Sequence, residues 1–237
     1  MMKGVRAVFR KEFRSYLQSS MGYIYLVVFL VLANWLFLRG FFIVNQLSFR
    51  SFFLLMPWLF LLFIPAITMR IWAEERKLGT IEILFTLPLK ESQVLIGKFL
   101  ASLAFLGISL LLTLPLPITG AFLGSPDVGQ IVGGYLGALF LGAAYISIGT
   151  FASSLTDSQI VAFILGAIIC FALFLVGENF VLVTLPPSIA SVFRYLGLGS
   201  HFDSIARGVI DSRDVIYYLS VIWFFLYLSL RVVEDKR

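Results

Sequence analysis

Charge gathers in one stretch of this 237-residue chain, residues 72–98, which carries Glu74, Glu75, Arg76, Lys77, Glu82, Lys90, Glu91 and Lys98. Paired carboxylates near an arginine suit an intramembrane hydrolase of the glutamate type, which uses a Glu-Glu-xxx-Arg pattern. Here Gly79 occupies the arginine position, and the histidines such an enzyme needs are missing, because His201 is the chain's one histidine. That single histidine and the single cysteine, Cys170, also exclude a multi-histidine or multi-cysteine metal site and an internal disulfide. Gly97-Lys98 does not close a phosphate loop: Ser92 stands where the first glycine belongs, and Phe99 follows the lysine. With no nucleophile–base set, the chain reads as non-catalytic and without a cofactor of its own. Its energy must come from a partner.

The same stretch contains a short predicted helix. Thr80 follows Gly79 as a candidate N-cap, and Glu82 lies in the first turn, where the helix dipole favours negative charge. Ile81, Leu84 and Phe85 fall on one face, and Pro88 ends the helix. Such an element fits a groove on another protein or lies among lipid headgroups; the residues alone leave both open. Glu74, Glu75 and Arg76 sit at the membrane end of the stretch, beside Arg70 and Lys77, and read together with Glu82 as braces for the loop.

What must hold this stretch is membrane. The chain is 60% hydrophobic and 13% charged, with mean hydropathy +0.99, too apolar for a soluble domain of this size. The expected fold is all-α: a polytopic membrane protein with six transmembrane helices in a single domain, 1–237. Spans are predicted near 23–42, 52–71, 99–123, 131–153, 160–176 and 215–232, each near the roughly 20 residues that cross about 30 Å of hydrocarbon. Pro57 and Pro65 predict kinks in the second. Gly133 and Gly137 in the fourth permit close helix approach. The first apolar run is too long, and lacks the small-residue cleavage site, for a signal peptide.

Ahead of the first span, residues 1–20 form an amphipathic helix, with Phe9 and Phe13 on the apolar side and Arg6, Arg10 and Arg14 on the other. It suits an anionic lipid surface, or serves simply as a basic flank. Six spans leave thirteen of the 18 Lys and Arg residues on the side of both termini and the 72–98 loop, and five (Arg39, Arg50, Arg194, Arg207, Arg213) opposite. By the positive-inside rule the termini and that loop are cytoplasmic. The net charge of +5 therefore needs no nucleic acid.

Residues 177–214 are too long and apolar for a plain loop. Ser188 after Pro186-Pro187 reads as the cap of one short helix stopped by Gly197. Ser200 with Asp203 reads as the capping box of a second, ending near Gly208. Two short re-entrant helices on the outer side, or a surface hairpin, fit this pattern. Candidate residues here are Glu178, His201, Arg207 and Asp211, with Glu178 marking either an exit site or a solvated helix end. The spans carry almost no ionisable group, and each would cost roughly 2.5–3.5 kcal/mol at the membrane centre. That argues against a proton- or sodium-coupled carrier.

The pattern Glu74-Glu75-Arg76-xx-Gly79-Thr80-x-Glu82-x-Leu84-xxx-Pro88 resembles the cytoplasmic loop of ABC-2 type transporter permeases. His201 to Leu219 is similar to the permeases of gliding-motility exporters and of nitrous-oxide-reductase maturation. The resemblance covers essentially the whole chain. It implies an exporter subunit that receives a cytoplasmic ABC ATPase on a coupling helix (Thr80, Ile81, Leu84, Phe85), with the N-terminal helix completing the contact. ATP and Mg would be bound by that partner. It further implies a second permease copy, as homodimer or paralogue, an extracytoplasmic auxiliary subunit, and the bacterial inner membrane. An assembly subunit that docks an ATPase without carrying substrate is the rival reading.

Overall fold

The computed structural model describes residues 2–44, 49–82, 89–124, 127–183, 186–209 and 211–235. Among them every regular element is helical. In order these are α1 (Met2–Gln18), α2 (Ser20–Val44), α3 (Arg50–Thr68), α4 (Arg70–Lys77), α5 (Glu91–Leu111), α6 (Pro115–Leu123), α7 (Val128–Leu155), α8 (Gln159–Leu175), α9 (Asn179–Leu182), α10 (Pro187–Leu196), α11 (Leu198–Ala206) and α12 (Ser212–Asp235).

Five stretches among the described residues are long and apolar enough to cross a membrane: Ser20–Arg39, Arg50–Lys77, Glu91–Phe122, Val128–Leu155 and Ser212–Asp235. The chain is a multi-pass membrane protein. The fifth span of the sequence reading corresponds to α8, apolar but only 17 residues. At 1.5 Å per residue that is about 25 Å, short of a full bilayer core.

The core forms around α7, which packs against α3, α8, α12 and α11. Its small residues let neighbours approach. A Cβ on Gly134 would stand 2.2 Å from the Phe53 ring of α3, so only a glycine lets that ring seat. Phe52, Phe53, Met56, Phe60, Leu141 and Tyr145 are fully buried there. Gly133 and Gly137 do not seat a second long helix; they face the Ile205–Gly208 end of α11.

Several local expectations are corrected. Pro57 and Pro65 both lie inside α3, which remains helical through them, and an interruption comes further on, at Met69. The Thr68 hydroxyl donates to the carbonyls of Ile64 (2.9 Å) and Pro65 (3.3 Å), and such back-bonding competes with the backbone ladder where the helix ends. Ser188 is not a cap, because α10 starts one residue earlier, with Pro186 at the cap position and proline in its first turn. Nor do Ser200 and Asp203 form a capping box: α11 starts at Leu198. The Ser200 hydroxyl instead donates to the carbonyls of Arg194 (2.5 Å) and Gly197 (2.8 Å), tying α11 back to α10.

The apolar face of α1 is covered by protein as well. Val8 is buried against Gly97 of α5. The Tyr16 ring stacks on Phe105 at 5.1 Å, and its hydroxyl meets that of Ser102 at 3.0 Å. Burial pushes the Tyr16 hydroxyl up to about 12, so it stays neutral as a hydrogen-bonding group. Arg6, Arg10 and Arg14 are exposed, with Phe9 and Phe13 stacked at 5.5 Å between the two faces.

Candidate functional site

The charged stretch begins with α4, a helix of 8 residues. Its first N–H groups have no intrahelical acceptor, and Met69 at the cap position offers none. Ser153 of α7 supplies one from outside: its hydroxyl oxygen accepts from the N–H of Trp72 (3.0 Å) and Ala73 (3.1 Å) and donates to the Met69 carbonyl (3.0 Å). At the other end, Arg76 faces Asp157 of the α7–α8 turn at 3.8 Å. Gly79, with φ of +67°, closes the helix in the left-handed conformation that glycine adopts without strain. One short helix is thus tied at both ends to one neighbour.

Replacing Ser153 with Ala will leave two buried N–H groups unpaired. At roughly 1–3 kcal/mol for each such group, we expect a loss of about 2–6 kcal/mol in detergent unfolding. Ser154→Ala serves as the control, because among the described residues that hydroxyl bonds only to the Phe151 carbonyl on its own helix. Equal losses in the two variants would refute the capping role.

Below α4 lies a buried ion cluster. Lys98 of α5 is 3% exposed; its ammonium donates to the Glu75 carboxylate at 2.8 Å and to the Ile71 carbonyl at 2.8 Å. Glu12 of α1 stands 3.6 Å away, and the ammonium lies over the Trp72 ring, 5.1 Å from its centre. Lys11 reaches Glu75 at 4.0 Å and Glu12 at 3.5 Å from the exposed rim. A buried cation needs both a counter-charge and hydrogen bonds, and Lys98 has both. The cluster locks together α1, α4 and α5, adding to the Tyr16–Ser102 hydrogen bond between α1 and α5 and to the apolar packing around Val8, Trp72, Val94 and Leu95.

The other loop candidates are distributed as follows. Glu74 holds Arg70 on its own helix through two hydrogen bonds, 2.6 and 2.9 Å. The Thr80 hydroxyl donates backward to the Glu75 carbonyl at 3.2 Å, so it bonds to the helix before it. Residues 80–82 are helical, with Glu82 exposed. Ile81 is half-buried and packs against the chain's own Val8–Trp72 cluster, which sets it apart from an outward-facing anchor. Leu84 and Phe85 lie outside the described residues.

The four candidates around residues 177–214 separate. Glu178 and Arg207 line one cavity. Asp211 caps α12 by accepting from the Arg213 N–H at 2.9 Å. His201 is buried between α10 and α12: Nδ1 meets the Asp214 carboxylate at 2.6 Å, Nε2 meets the Tyr195 carbonyl at 2.9 Å, and the ring stacks on Tyr217 at 3.9 Å. Both ring nitrogens face acceptors, so the arrangement is a structural clamp. Tyr217 and Tyr218 extend it by donating to the carbonyls of Leu196 and Leu198.

Sequence reasoning passed over Ser153, Glu12 and Asp157, and counted Lys98 only as a loop charge. A signal for Lys98 was present, since a lysine inside an apolar helix must find a partner. Nothing comparable marks Ser153, one hydroxyl among several in a helix rich in small residues.

A search of curated proteins found no match. The sequence profile described as ABC-2 family transporter protein matches residues 42–233, from the end of α2 through most of α12. With most of its length so matched, the chain belongs to the ABC-2 family of transporter proteins, as a membrane-embedded permease subunit.

Proposed function

We propose that this chain is the permease half of an ATP-binding-cassette exporter of the bacterial inner membrane. A separate cytoplasmic ABC ATPase, which binds the ATP and Mg, docks on the 80–86 segment beside the exposed arginines of α1. Both termini are cytoplasmic, and α8 completes six crossings. A second permease copy, homodimeric or paralogous, forms the other half, and an extracytoplasmic subunit completes the path in the manner of the gliding-motility and nitrous-oxide-reductase permeases.

The observation that carries this reading is the Lys98–Glu75–Glu12 cluster. It joins the loop helix, the N-terminal helix and a span at the point where the docking segment leaves the membrane. A partner pushing on that segment therefore pushes on α1, α4 and α5 together. Residues that only lay among headgroups would have no use for a buried lysine at that junction.

The test is co-purification. The chain purified alone will hydrolyse no ATP, and when co-expressed with an ABC ATPase encoded beside it, it will retain that ATPase through affinity purification. ATP hydrolysis by the single chain, surviving controls for contamination, would overturn the assignment. Stable docking without vesicle transport would favour the assembly-subunit reading.

A further inference from the structure

On the face away from the docking segment, α3, α8, α10, α11 and the link at 177–179 enclose a cavity of about 520 Å³, the size of a small-ligand site. Its charged residues are unequal. Asp203 is already neutralised, by Arg207 at 2.6 Å and by Arg50 at 3.6 Å. Among the described residues Glu178 has no such cation. Its Oε1 lies against Gly199, where a Cβ would come within 2.8 Å, so the backbone itself makes room for this carboxylate. Burial and the nearby Asp203 charge hold the Glu178 carboxyl above the usual carboxylate range, a cost that an incoming cation would relieve.

Aromatic rings stand beside it. Trp58 and Phe174, edge to face at 5.1 Å, line the same cavity, and Trp58 is half exposed. A carboxylate with an aromatic wall is the arrangement by which proteins hold ammonium groups. Arg194, also in the lining, is exposed and pairs with no carboxylate among the described residues.

We infer that this cavity binds a zwitterion bearing an ammonium and a phosphate, with Glu178 and Trp58 taking the ammonium and Arg194 the phosphate. Free phosphoethanolamine and the headgroup of phosphatidylethanolamine share that chemistry. The inference rests on the outer cavity alone and stands whether or not an ATPase docks on the opposite face.

The experiment uses the full chain in nanodiscs of phosphatidylglycerol, which has a phosphate but no ammonium. One arm titrates free phosphoethanolamine by calorimetry; the other mixes phosphatidylethanolamine into the nanodisc and reads lipid retained by native mass spectrometry. Saturable binding in the first arm identifies a soluble ligand, and selective retention in the second a lipid. Either supports the site, provided Glu178→Gln weakens it about tenfold and Trp58→Ala by several-fold without lowering the Tm. Arg194→Gln, on an exposed side chain, gives a second reading should Glu178→Gln unfold. If the wild type prefers neither zwitterion over phosphatidylglycerol or glycerol phosphate, or if Glu178→Gln and Arg194→Gln both bind as the wild type does, the inference falls.

Discussion

Replacing Lys98 with Met will destabilise the protein by about 3 kcal/mol, near the lower end of what breaking a buried ion pair costs. The lysine is 3% exposed and Glu75 only 15%, so losing the ammonium strands a carboxylate in a site from which water is largely excluded. The Ile71 carbonyl loses its donor in the same step. Lys11, 4.0 Å from Glu75 and well exposed, offers partial compensation and keeps the loss from being larger. The double variant Lys98→Met/Glu75→Gln should recover most of the stability, because it removes both charges together. Unfolding of the four proteins in detergent gives the coupling energy directly. If the single and double variants unfold alike, the pair is not what holds α5 to α4. Lys11→Ala, at the exposed rim, should cost less than about 0.5 kcal/mol.

The second large effect belongs to the docking segment. Leu84→Ala with Phe85→Ala will lower affinity for the ATPase by about a hundredfold or more, since each buried anchor is worth on the order of 1.5–3 kcal/mol. Ile81→Ala should instead reduce stability, because Ile81 packs on the chain's own core. The carboxylates behave differently again. Glu75→Gln loosens the tie to α5 and α1, so ATPase binding survives while coupling of hydrolysis to transport falls. Glu74→Gln, whose partner Arg70 is on the same helix, should do much less. Pull-down and ATPase assays in reconstituted membranes distinguish these outcomes. Wild-type binding by the Leu84/Phe85 double variant removes the docking proposal, and unchanged coupled turnover in Glu75→Gln reduces that residue to a structural role.

How much of this was legible beforehand follows from the range of the interactions. The long apolar helices, the basic face of α1 and the two short helices within residues 187–206 are written in local periodicity, and the described helices follow them to within a few residues at most ends. The third span is the exception: its helix reaches back to Glu91, because Lys98 is held by partners and does not mark the membrane boundary. Caps were less legible. Ser188 and Ser200 carry the local signature of a cap, yet the chain begins each helix earlier, at Pro187 and Leu198. The missed residues have partners far along the chain: Ser153 lies 81 positions from Trp72, and Glu12 answers a lysine on a different helix. No window of neighbouring residues contains such a pairing.

The double attachment of α4 has a mechanical consequence. Ser153 and Asp157 bracket the same end of α7, so a torque on the loop helix is delivered to a rod of 28 residues, about 42 Å long. Its opposite end, at Gly133, abuts Ile205 and Gly208, next to the helix that walls the Glu178 cavity. A tilt of about 5° about a fulcrum near mid-helix would displace each end by about 2 Å over such a length. With its fulcrum in the aromatic core of α3, the helix would act as a lever arm whose two loads lie at its opposite ends.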